Sequence, residues 1–410
     1  MANTNENQHR ARADKNDEFY TQLSDISNEL KYYKHHFRDK VIICNCDDPY
    51  ESNFVKYFIL NFQELGLKKL IATCYDGSPI SATEFEPCDL FEQSFQSTPK
   101  TNINKQVQTL VSKAYKIEVT GVKDFNNDGA IDLEDAKQLL QQPGVVTLLE
   151  GNGDFRSEEC LALLDEADIC ITNPPFSLIE EFITTLIEHN KQFLILGQLG
   201  HASYKTLFPL LQENKMWLGH NSRAMEFIVP KTTDRQNIYT DENGQYKAKF
   251  GNIAWYTNLD NARRHEELVM YKDYILDGTV PYDNYDAINV DLVAEIPYNY
   301  FGVMGVPISF LDKHNPEQFV ILGLAQKYGM GLQRNKLYNN YLEYNELNKP
   351  TGSTGVKING NPIIKGKPTN KKKYKYFMNT EGDIVQSLYS RIFIKRKYKE
   401  DGTLNTDEDN

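Results

Sequence analysis

The chain has 410 residues, a formal net charge of −12 and an ordinary globular composition, with 40% hydrophobic and 25% charged residues. No apolar run approaches the roughly 18 residues of a membrane span, and the polar start has no signal-like apolar core, so we expect a cytoplasmic protein with no membrane association. The acidic balance argues mildly against a nucleic-acid partner, although the distribution of charge matters more than its sum.

The first elements lead to an acidic turn. Residues 1–16 are polar and are expected to be disordered, a helical pattern covers about 23–37, and Val41–Cys46 reads as a first strand. The turn that follows, Asp47-Asp48-Pro49, has carboxylates where most cofactor-binding sheets have glycines. Glycines bring backbone N–H groups to phosphate, whereas carboxylates can hold an ammonium group, so this turn disfavours a dinucleotide. The alternative is a helix N-cap at Asp47 or Asp48 with Pro49 at the first helical position, and the two roles are compatible.

An acidic loop follows the strands predicted at 69–75 and 116–120. It places oxygen ligands at loop positions 1, 3, 5, 9 and 12 and Gly129 at position 6, which is the calcium-loop pattern with Asp in place of the usual Glu at position 12. The predicted metal ligands are Asp124, Asn126, Asp128, Ala130 through its carbonyl, Asp132 and Asp135. A structural calcium ion is therefore expected in an insertion at 124–135. An Asx-rich turn that caps the following helix is the alternative.

Glycines flank the next polar turn, Gly151-Asn152-Gly153-Asp154-Phe155, and free its backbone. Asp154 can accept a hydrogen bond from the amino group of an adenine ring, and Phe155 can pack against the ring. A polar turn that caps the helix predicted at 157–164 is the alternative.

The most informative stretch is Ala167–Thr172, a predicted buried strand, with Asn173-Pro174-Pro175-Phe176 after it. Two prolines cannot continue a ladder, so the chain leaves the strand in a fixed direction, at the end where α/β sheets bind ligands. The Asn173 side-chain oxygen and the Pro174 carbonyl can each accept one N–H of an exocyclic amine, and Phe176 can stack on a base taken out of its helix. A turn that only ends the strand is the alternative.

The last part of the chain, from about residue 259, has short Tyr-rich strands separated by Gly and Pro, and it is predicted to form a separate lobe. Basic residues crowd into segment 365–399, where aromatic residues are interleaved with them. This combination favours contact with phosphates, and a solvated basic face is the alternative.

These segments resemble the EcoRI-type family of adenine-specific (N6) DNA methyltransferases, which use S-adenosylmethionine. The matching segments, which span most of 17–260, are Asp17-Glu18-Phe19-Tyr20-Thr21, Cys44–Pro49 with Ser52-Asn53-Phe54, Gly153–Ser157, Asn173–Phe176 and Trp255–Asn258. The resemblance implies a Rossmann-like class I methyltransferase fold (α/β, with a seven-stranded, mostly parallel sheet) over 17–258 and a C-terminal target-recognition lobe over 259–410. The cofactor-binding residues that it implies are Tyr20, Thr21, Asn45, Asp47, Asp48, Asn53, Asp154, Phe155 and Asn173.

The expected function is site-specific DNA adenine-N6 methylation, in restriction-modification or DNA protection, with Asn173, Pro174, Pro175 and Phe176 as the catalytic residues. The expected partners are double-stranded DNA and, functionally rather than physically, a cognate restriction endonuclease, and the chain is expected to be a monomer. Methylation of RNA or of a protein glutamine is an alternative, because Asn-Pro-Pro-Phe/Tyr serves those reactions too. A calcium-dependent, non-catalytic binding module is a further alternative, against which the intact tetrapeptide argues.

Overall fold

The computed structural model describes residues 20–50, 52–75, 114–221, 225–229, 238–242, 244, 246–275, 278–325, 332–368, 373–399 and 401–405. The segment predicted as disordered, 1–16, lies outside these ranges. The chain divides into two compact units, Met1–His201 with Met216–Asn261 and Ala202–Lys215 with Ala262–Asn410. Among the described residues, no helix has the length and apolarity that a membrane crossing requires.

The first unit contains seven α-helices and twelve strands within the described residues. The helices are α1 (Leu23–Leu30), α2 (Lys34–Phe37), α3 (Asn53–Leu60), α4 (Phe62–Leu65), α5 (Leu133–Leu140), α6 (Glu158–Glu166) and α7 (Ile179–Glu188). The strands are β1 (Tyr20–Thr21), β2 (Val41–Cys44), β3 (Lys69–Thr73), β4 (Tyr115–Val119), β5 (Val146–Leu148), β6 (Ile169–Thr172), β7 (Gln192–Gln198), β8 (Trp217–Leu218), β9 (Met225–Ile228), β10 (Ile238–Thr240), β11 (Tyr246–Phe250) and β12 (Ile253–Thr257).

The main sheet is mixed rather than mostly parallel. Its order is β5-β4-β3-β2-β6-β7-β12-β8, which makes eight strands in the described part of the chain where seven were predicted. The central strands β3, β2, β6 and β7 are parallel, whereas the pairings at both edges are antiparallel. Every residue of β2 and β6 is buried, as expected for central parallel strands covered on both faces.

Strand β9 does not join the main sheet. β9 pairs with β1 and β11 in a separate four-stranded sheet of order β1-β9-β11-β10. Its burial alternates, with Met225 and Phe227 buried and Glu226 and Ile228 half-buried. That alternation is typical of an antiparallel strand with one covered face.

The order of the main sheet brings two strand ends together. From β2 the chain proceeds to β3 on one side, and it later enters β6 on the other side. The carboxyl ends of β2 and β6 are therefore neighbours at a topological switch point, which is where open α/β sheets bind their ligands. The turn that follows β2 and the Asn173 segment that follows β6 both start at this point.

The second unit has one short α-helix and two five-stranded sheets within the described residues. They are α8 (Phe208–Gln212) and the strands β13 (Val280–Pro281), β14 (Ile288–Asn289), β15 (Met304–Val306), β16 (Phe319–Leu324), β17 (Leu342–Asn345), β18 (Pro350–Thr354), β19 (Ile363–Lys365), β20 (Lys375–Met378), β21 (Ile384–Ser387) and β22 (Ile392–Arg396). The sheet orders are β13-β14-β15-β22-β16 and β18-β17-β20-β21-β19. A 3₁₀ turn, Gly355–Ile358, lies between β18 and β19.

The segment 202–215 joins the second unit although it precedes the predicted boundary at residue 258. Its helix α8 packs against β16, and the side-chain amide of Gln212 donates to the carbonyl of Leu322 at 2.9 Å. Phe208 and Leu211 of α8 are buried. Segment 202–215 belongs to the second unit because it contacts a strand more than a hundred residues away. A local sequence pattern does not reveal such contacts.

Candidate active site

The predicted catalytic tetrapeptide lies at the switch point. Asn173 directly follows β6 and is half-buried, Pro174 is buried, and Phe176 begins a 3₁₀ turn that leads into α7. The Phe176 ring is nearly enclosed and meets the ring of His201 edge-on, with 5.8 Å between the ring centroids. A base can therefore stack on Phe176 only if the residues that enclose the Phe176 ring move away from it, which the sequence did not predict.

His201 was not predicted, and it lies in the 3₁₀ turn after β7. Burial lowers the pKa of His201 to about 4, so the ring is neutral near pH 7. The backbone N–H of Gln198 donates to its Nδ1 at 3.1 Å, which orients the ring next to Phe176. Because a histidine ring after an apolar strand has no distinctive spacing, no sequence signal identified this contact.

The turn after β2 directs a carboxylate at the tetrapeptide. Asp47 is buried and accepts hydrogen bonds from the hydroxyl of Ser52 at 2.7 Å, from the hydroxyl of Thr172 and from the backbone N–H of Asn173. Burial raises the pKa of Asp47 to about 6, although these hydrogen bonds oppose the rise. Asn45 is buried beside it, and its side-chain oxygen lies 3.4 Å from the sulfur of Cys170.

Asp48, the next residue of the turn, accepts hydrogen bonds from different donors. Both of its oxygens lie 2.9 Å from the hydroxyl of Tyr115 in β4, and one accepts the backbone N–H of Tyr50 at 2.9 Å. Ser52 caps α3 by accepting the N–H of Phe54 at 3.1 Å, so the helix begins at Asn53 and the alternative cap at Asp47 or Asp48 with Pro49 at the first position is wrong.

The segment at β1 is tied to this turn. The side-chain amide of Asn53, the first residue of α3, donates to the carbonyl of Thr21 at 2.8 Å. The hydroxyl of Thr21 is buried and has no hydrogen-bond partner among the described residues. An unpartnered buried hydroxyl is costly, so it fits a site in which a ligand supplies the partner. Tyr20 pairs with Ile228, and its side chain lies outside the described residues.

Asp154 is held by an arginine that was not predicted as a site residue. Arg156 donates to both carboxylate oxygens of Asp154, at 2.9 and 2.7 Å, and to Glu181 in α7 at 2.6 Å. Burial alone would raise the pKa of Asp154, but these bonds and the guanidinium charge outweigh it and hold the pKa below its usual value. Phe155 is buried, with its ring edge-on to Phe182 at 5.0 Å. The sequence contained Arg156 in a matching segment but did not indicate a role for it.

The predicted calcium loop has the expected turn but not a formed metal site. Gly129 has a φ of +93°, as position 6 of the pattern requires, and Asp124 accepts the N–H groups of Asp128 and Gly129. Asp135 is buried and accepts the backbone N–H groups of Asp132, Phe125 and Asn126, which lower its pKa. In the part of the chain that the structure describes, no group of three or more His, Cys, Asp or Glu side chains is arranged to hold a metal ion.

The backbone N–H groups of the loop occupy the oxygens that were predicted as metal ligands. Asp132 and Asp135 form a reciprocal capping box at the start of α5, and Ala130 donates its own N–H to Asp128 at 2.9 Å. Asn126 accepts from Asp128 at 3.0 Å. These contacts are those of the alternative interpretation, an Asx-rich turn that caps a helix.

The predicted basic segment 365–399 is only partly a surface face. Arg391 and Lys395 are buried, so they are not part of an exposed face. Lys365 and Lys375 are exposed and form ion pairs with the buried carboxylates of Asp283 and Glu343. The segment lies in the second unit, and its residues 369–372 are outside the described ranges.

Comparison with known proteins identifies relatives along most of the chain. A family profile described as "Adenine-specific methyltransferase EcoRI" matches residues 7–397. The Type II methyltransferase M.EcoRI of Escherichia coli is 43% identical over 325 residues, which are 78% of this chain and 89% of that protein. The Type II methyltransferases M.MpnI of Mycoplasma pneumoniae and M.MgeORF184P of Mycoplasma genitalium are 36% and 34% identical, and each match covers 78% of this chain and 86% of the relative. No solved structure matches the chain.

Proposed function

The chain belongs to the EcoRI family of adenine-specific methyltransferases, and from this premise we propose that it methylates N6 of adenine in DNA at the site built around Asn173. One observation carries the assignment to this site. The Asn-Pro-Pro-Phe segment starts at the carboxyl end of β6, where the order of the sheet brings that strand beside the turn after β2. This switch point is the usual ligand-binding position of an α/β sheet.

The chemistry follows from the groups that the tetrapeptide presents. The side-chain oxygen of Asn173 and the carbonyl of Pro174 accept the two N–H groups of the adenine amine, which directs the nitrogen lone pair away from them. Pro174 and Pro175 have no N–H and a fixed φ, so the acceptors stay in place without competing donors. The amine is itself the nucleophile, and no general base is needed before attack. Preorganised acceptors of this kind stabilise the charge that develops on the amine.

Bound S-adenosylmethionine supplies an electrophilic methyl group on a sulfonium centre, and several residues of this chain fit its binding. The unpartnered hydroxyl of Thr21 lies in β1, in the segment that the family resemblance implies for contact with the methionine end, and the side-chain amide of Asn53 in α3 holds the Thr21 carbonyl. Asp154 and Phe155 supply a carboxylate and a ring edge for the adenine of the cofactor. Further residues proposed for the cofactor site are Tyr20, Asn45 and Asp48.

We further propose that the first unit is a class I methyltransferase domain and that the second unit recognises the DNA target. The parallel core β3-β2-β6-β7 with the antiparallel β12 beside it supports the first assignment. The exposed lysines of segment 365–399, such as Lys365 and Lys375, support the second, because phosphate contacts need accessible cations.

A structural calcium ion at 124–135 remains a separate proposal. Its support is the left-handed Gly129 at position 6 and the oxygen-rich sequence, and binding would require Asp124 and Asp128 to exchange backbone N–H partners for the ion. A ligand that binds only the folded state raises its melting temperature. Thermal melts with calcium and with a chelator test this, with Asp124→Ala as the control, and identical wild-type melts would reject the ion.

The proposed function is tested by product analysis. The protein is incubated with S-adenosylmethionine that carries a labelled methyl group and, in separate reactions, with double-stranded DNA, RNA and a glutamine-containing protein. The product is digested and the modified nucleoside or residue is identified. Label in N6-methyladenine from DNA confirms the function, whereas label only in RNA or glutamine assigns the alternative reaction.

The relatives are Type II methyltransferases, and their names support a role in restriction-modification with a cognate endonuclease as the functional partner. Genomic DNA from cells that express the chain reports the methylated sequence when it is read for N6-methyladenine. Methylation at one short sequence supports this role, and methylation of adenines without sequence preference contradicts it.

A further inference from the structure

We propose that Asp47 is a positioning residue for the catalytic segment, and that its carboxylate fixes the backbone of Asn173 instead of holding the ammonium group of the cofactor. This inference rests on the proposed role of Asn173. It changes the role that the family resemblance implies for Asp47, from cofactor ligand to support of the group that holds the target amine.

Three donors from two segments of the chain meet at the Asp47 carboxylate. Ser52, the cap of α3, donates its hydroxyl at 2.7 Å, Thr172, the last residue of β6, donates its hydroxyl, and Asn173 donates its backbone N–H. The carboxylate is buried, so these bonds are shielded from competing water. Such a carboxylate already has the hydrogen bonds that a buried charge requires.

The catalytic segment has a particular need for this contact. After Asn173 the chain continues with two prolines, which cannot donate a backbone hydrogen bond. The N–H of Asn173 is therefore the last main-chain donor before Phe176, and its acceptor determines where the rigid Pro-Pro segment begins. The Thr172 hydroxyl strengthens the link, because it also accepts the backbone N–H of Cys46 at 3.3 Å. Asp47 and Thr172 thus join the turn after β2 to the end of β6.

The neighbouring carboxylate provides a matched control. Asp48 is buried in the same turn, but its described hydrogen bonds go to the hydroxyl of Tyr115 and the N–H of Tyr50. Asp47→Asn and Asp48→Asn make the same chemical change one residue apart. If Asp47 positions Asn173, its variant loses rate at saturating substrates, whereas the Asp48 variant loses affinity for the cofactor.

The experiment measures two quantities for each variant. Titration calorimetry gives the Kd for S-adenosylmethionine, and single-turnover methyl transfer to DNA, at saturating cofactor and DNA, gives the rate of the chemical step. We expect Asp47→Asn to lower that rate by about 10- to 100-fold, because small displacements of a positioning group have effects of this size, with a change in Kd of less than about threefold. A loss of affinity that exceeds the loss of rate would overturn the proposal, as would an unchanged rate.

A second pair of variants keeps the test decisive if Asp47→Asn does not fold. Thr172→Val removes the hydroxyl at nearly constant shape, and Thr172→Ser retains it. The proposal requires the valine variant to lose rate and the serine variant to retain it, and equal rates in the two would contradict it. The wild-type protein in the same assay distinguishes failure of the proposed function from failure of the role of Asp47. If the wild type transfers no methyl group to adenine, the proposed function is refuted. If wild type and Asp47→Asn both transfer it normally, only the role of Asp47 is refuted.

Discussion

Gly153 passes so close to Cys74 that it has no room for a side chain. A Cβ at this position would overlap the carbonyl oxygen of Cys74 and would lie 2.9 Å from the Cβ of Ala114. Gly153 also has a φ of +74°, in the region that side chains disfavour. The absence of a side chain at Gly153 therefore lets the turn pack against the ends of β3 and β4. This packing determines the position of the next residue, Asp154.

Gly153→Ala is expected to lower the melting temperature and to weaken cofactor binding, because the turn must move away from Cys74 and carry Asp154 with it. The cost combines backbone strain with steric overlap and should exceed about 2 kcal/mol. Gly144→Ala is the control, since Gly144 has a φ of +86° but no atom within 4 Å of an added Cβ. Equal destabilisation of the two variants in thermal melts would show that the close contact with Cys74 is unimportant.

Asn173→Ala is expected to abolish measurable methyl transfer while S-adenosylmethionine still binds. The side-chain oxygen is proposed to accept from the target amine only, and loss of such a preorganised group costs about 3 kcal/mol in the barrier, more than a hundredfold in rate. Single-turnover transfer and calorimetric titration of the cofactor measure the two effects. Turnover close to that of the wild type would remove Asn173 from the reaction.

Asp154→Ala is expected to raise the Kd for S-adenosylmethionine about tenfold or more, because it removes the proposed acceptor for the adenine amino group and leaves Arg156 with Glu181 alone. Glu181→Ala is the control, since it removes only the exposed end of the Arg156 contacts, and exposed ion pairs contribute little. Titration calorimetry compares the two variants. An unchanged Kd in Asp154→Ala would exclude Asp154 from the cofactor site.

Glu29 is expected to make the stability of the protein depend on pH. Its carboxylate is buried, it accepts the backbone N–H groups of His220 and Asn221 at 2.6 and 2.8 Å, and burial raises its pKa to about 7. In the unfolded chain the pKa is near 4.5. Between these values the folded state binds a proton that the unfolded state has released, so stability falls as pH rises from about 5 to 8.

The measurement compares wild type with Glu29→Gln, which cannot titrate. The free energy of unfolding in urea is determined for both at pH 5, 6, 7 and 8. Relative to the variant, the wild type should lose on the order of 3 kcal/mol over this interval, from the difference between the two pKa values. Parallel pH curves for the two proteins would show that Glu29 does not titrate in this range.

Local patterns in the sequence predicted the strand ends that carry the site but not the contacts between them. The apolar run before Asn173 forms the strand that was predicted, because strand composition is a local property. The contacts of Asp47 with Thr172 and Asn173 were not predicted, since they join segments that only the completed sheet brings together. The contact of Asp154 with Arg156, two residues away, was not predicted because it has no distinctive sequence signal. The helix predicted at 23–37 is interrupted between α1 and α2 at residues 31–33, a break for which the sequence has no Gly or Pro signal.

The path of the chain through the two units has a consequence for its synthesis. Segment 202–215 belongs to the second unit, yet the chain then returns to the first unit for β8 to β12. Gln212 cannot meet Leu322 until more than a hundred further residues have been made, so α8 must wait without its partner strand while the first unit forms. A fragment that starts at residue 259 would lack α8 and leave the face of β16 that it covers open to water. The second unit is thus not a contiguous piece of the chain, and one cut cannot release it whole.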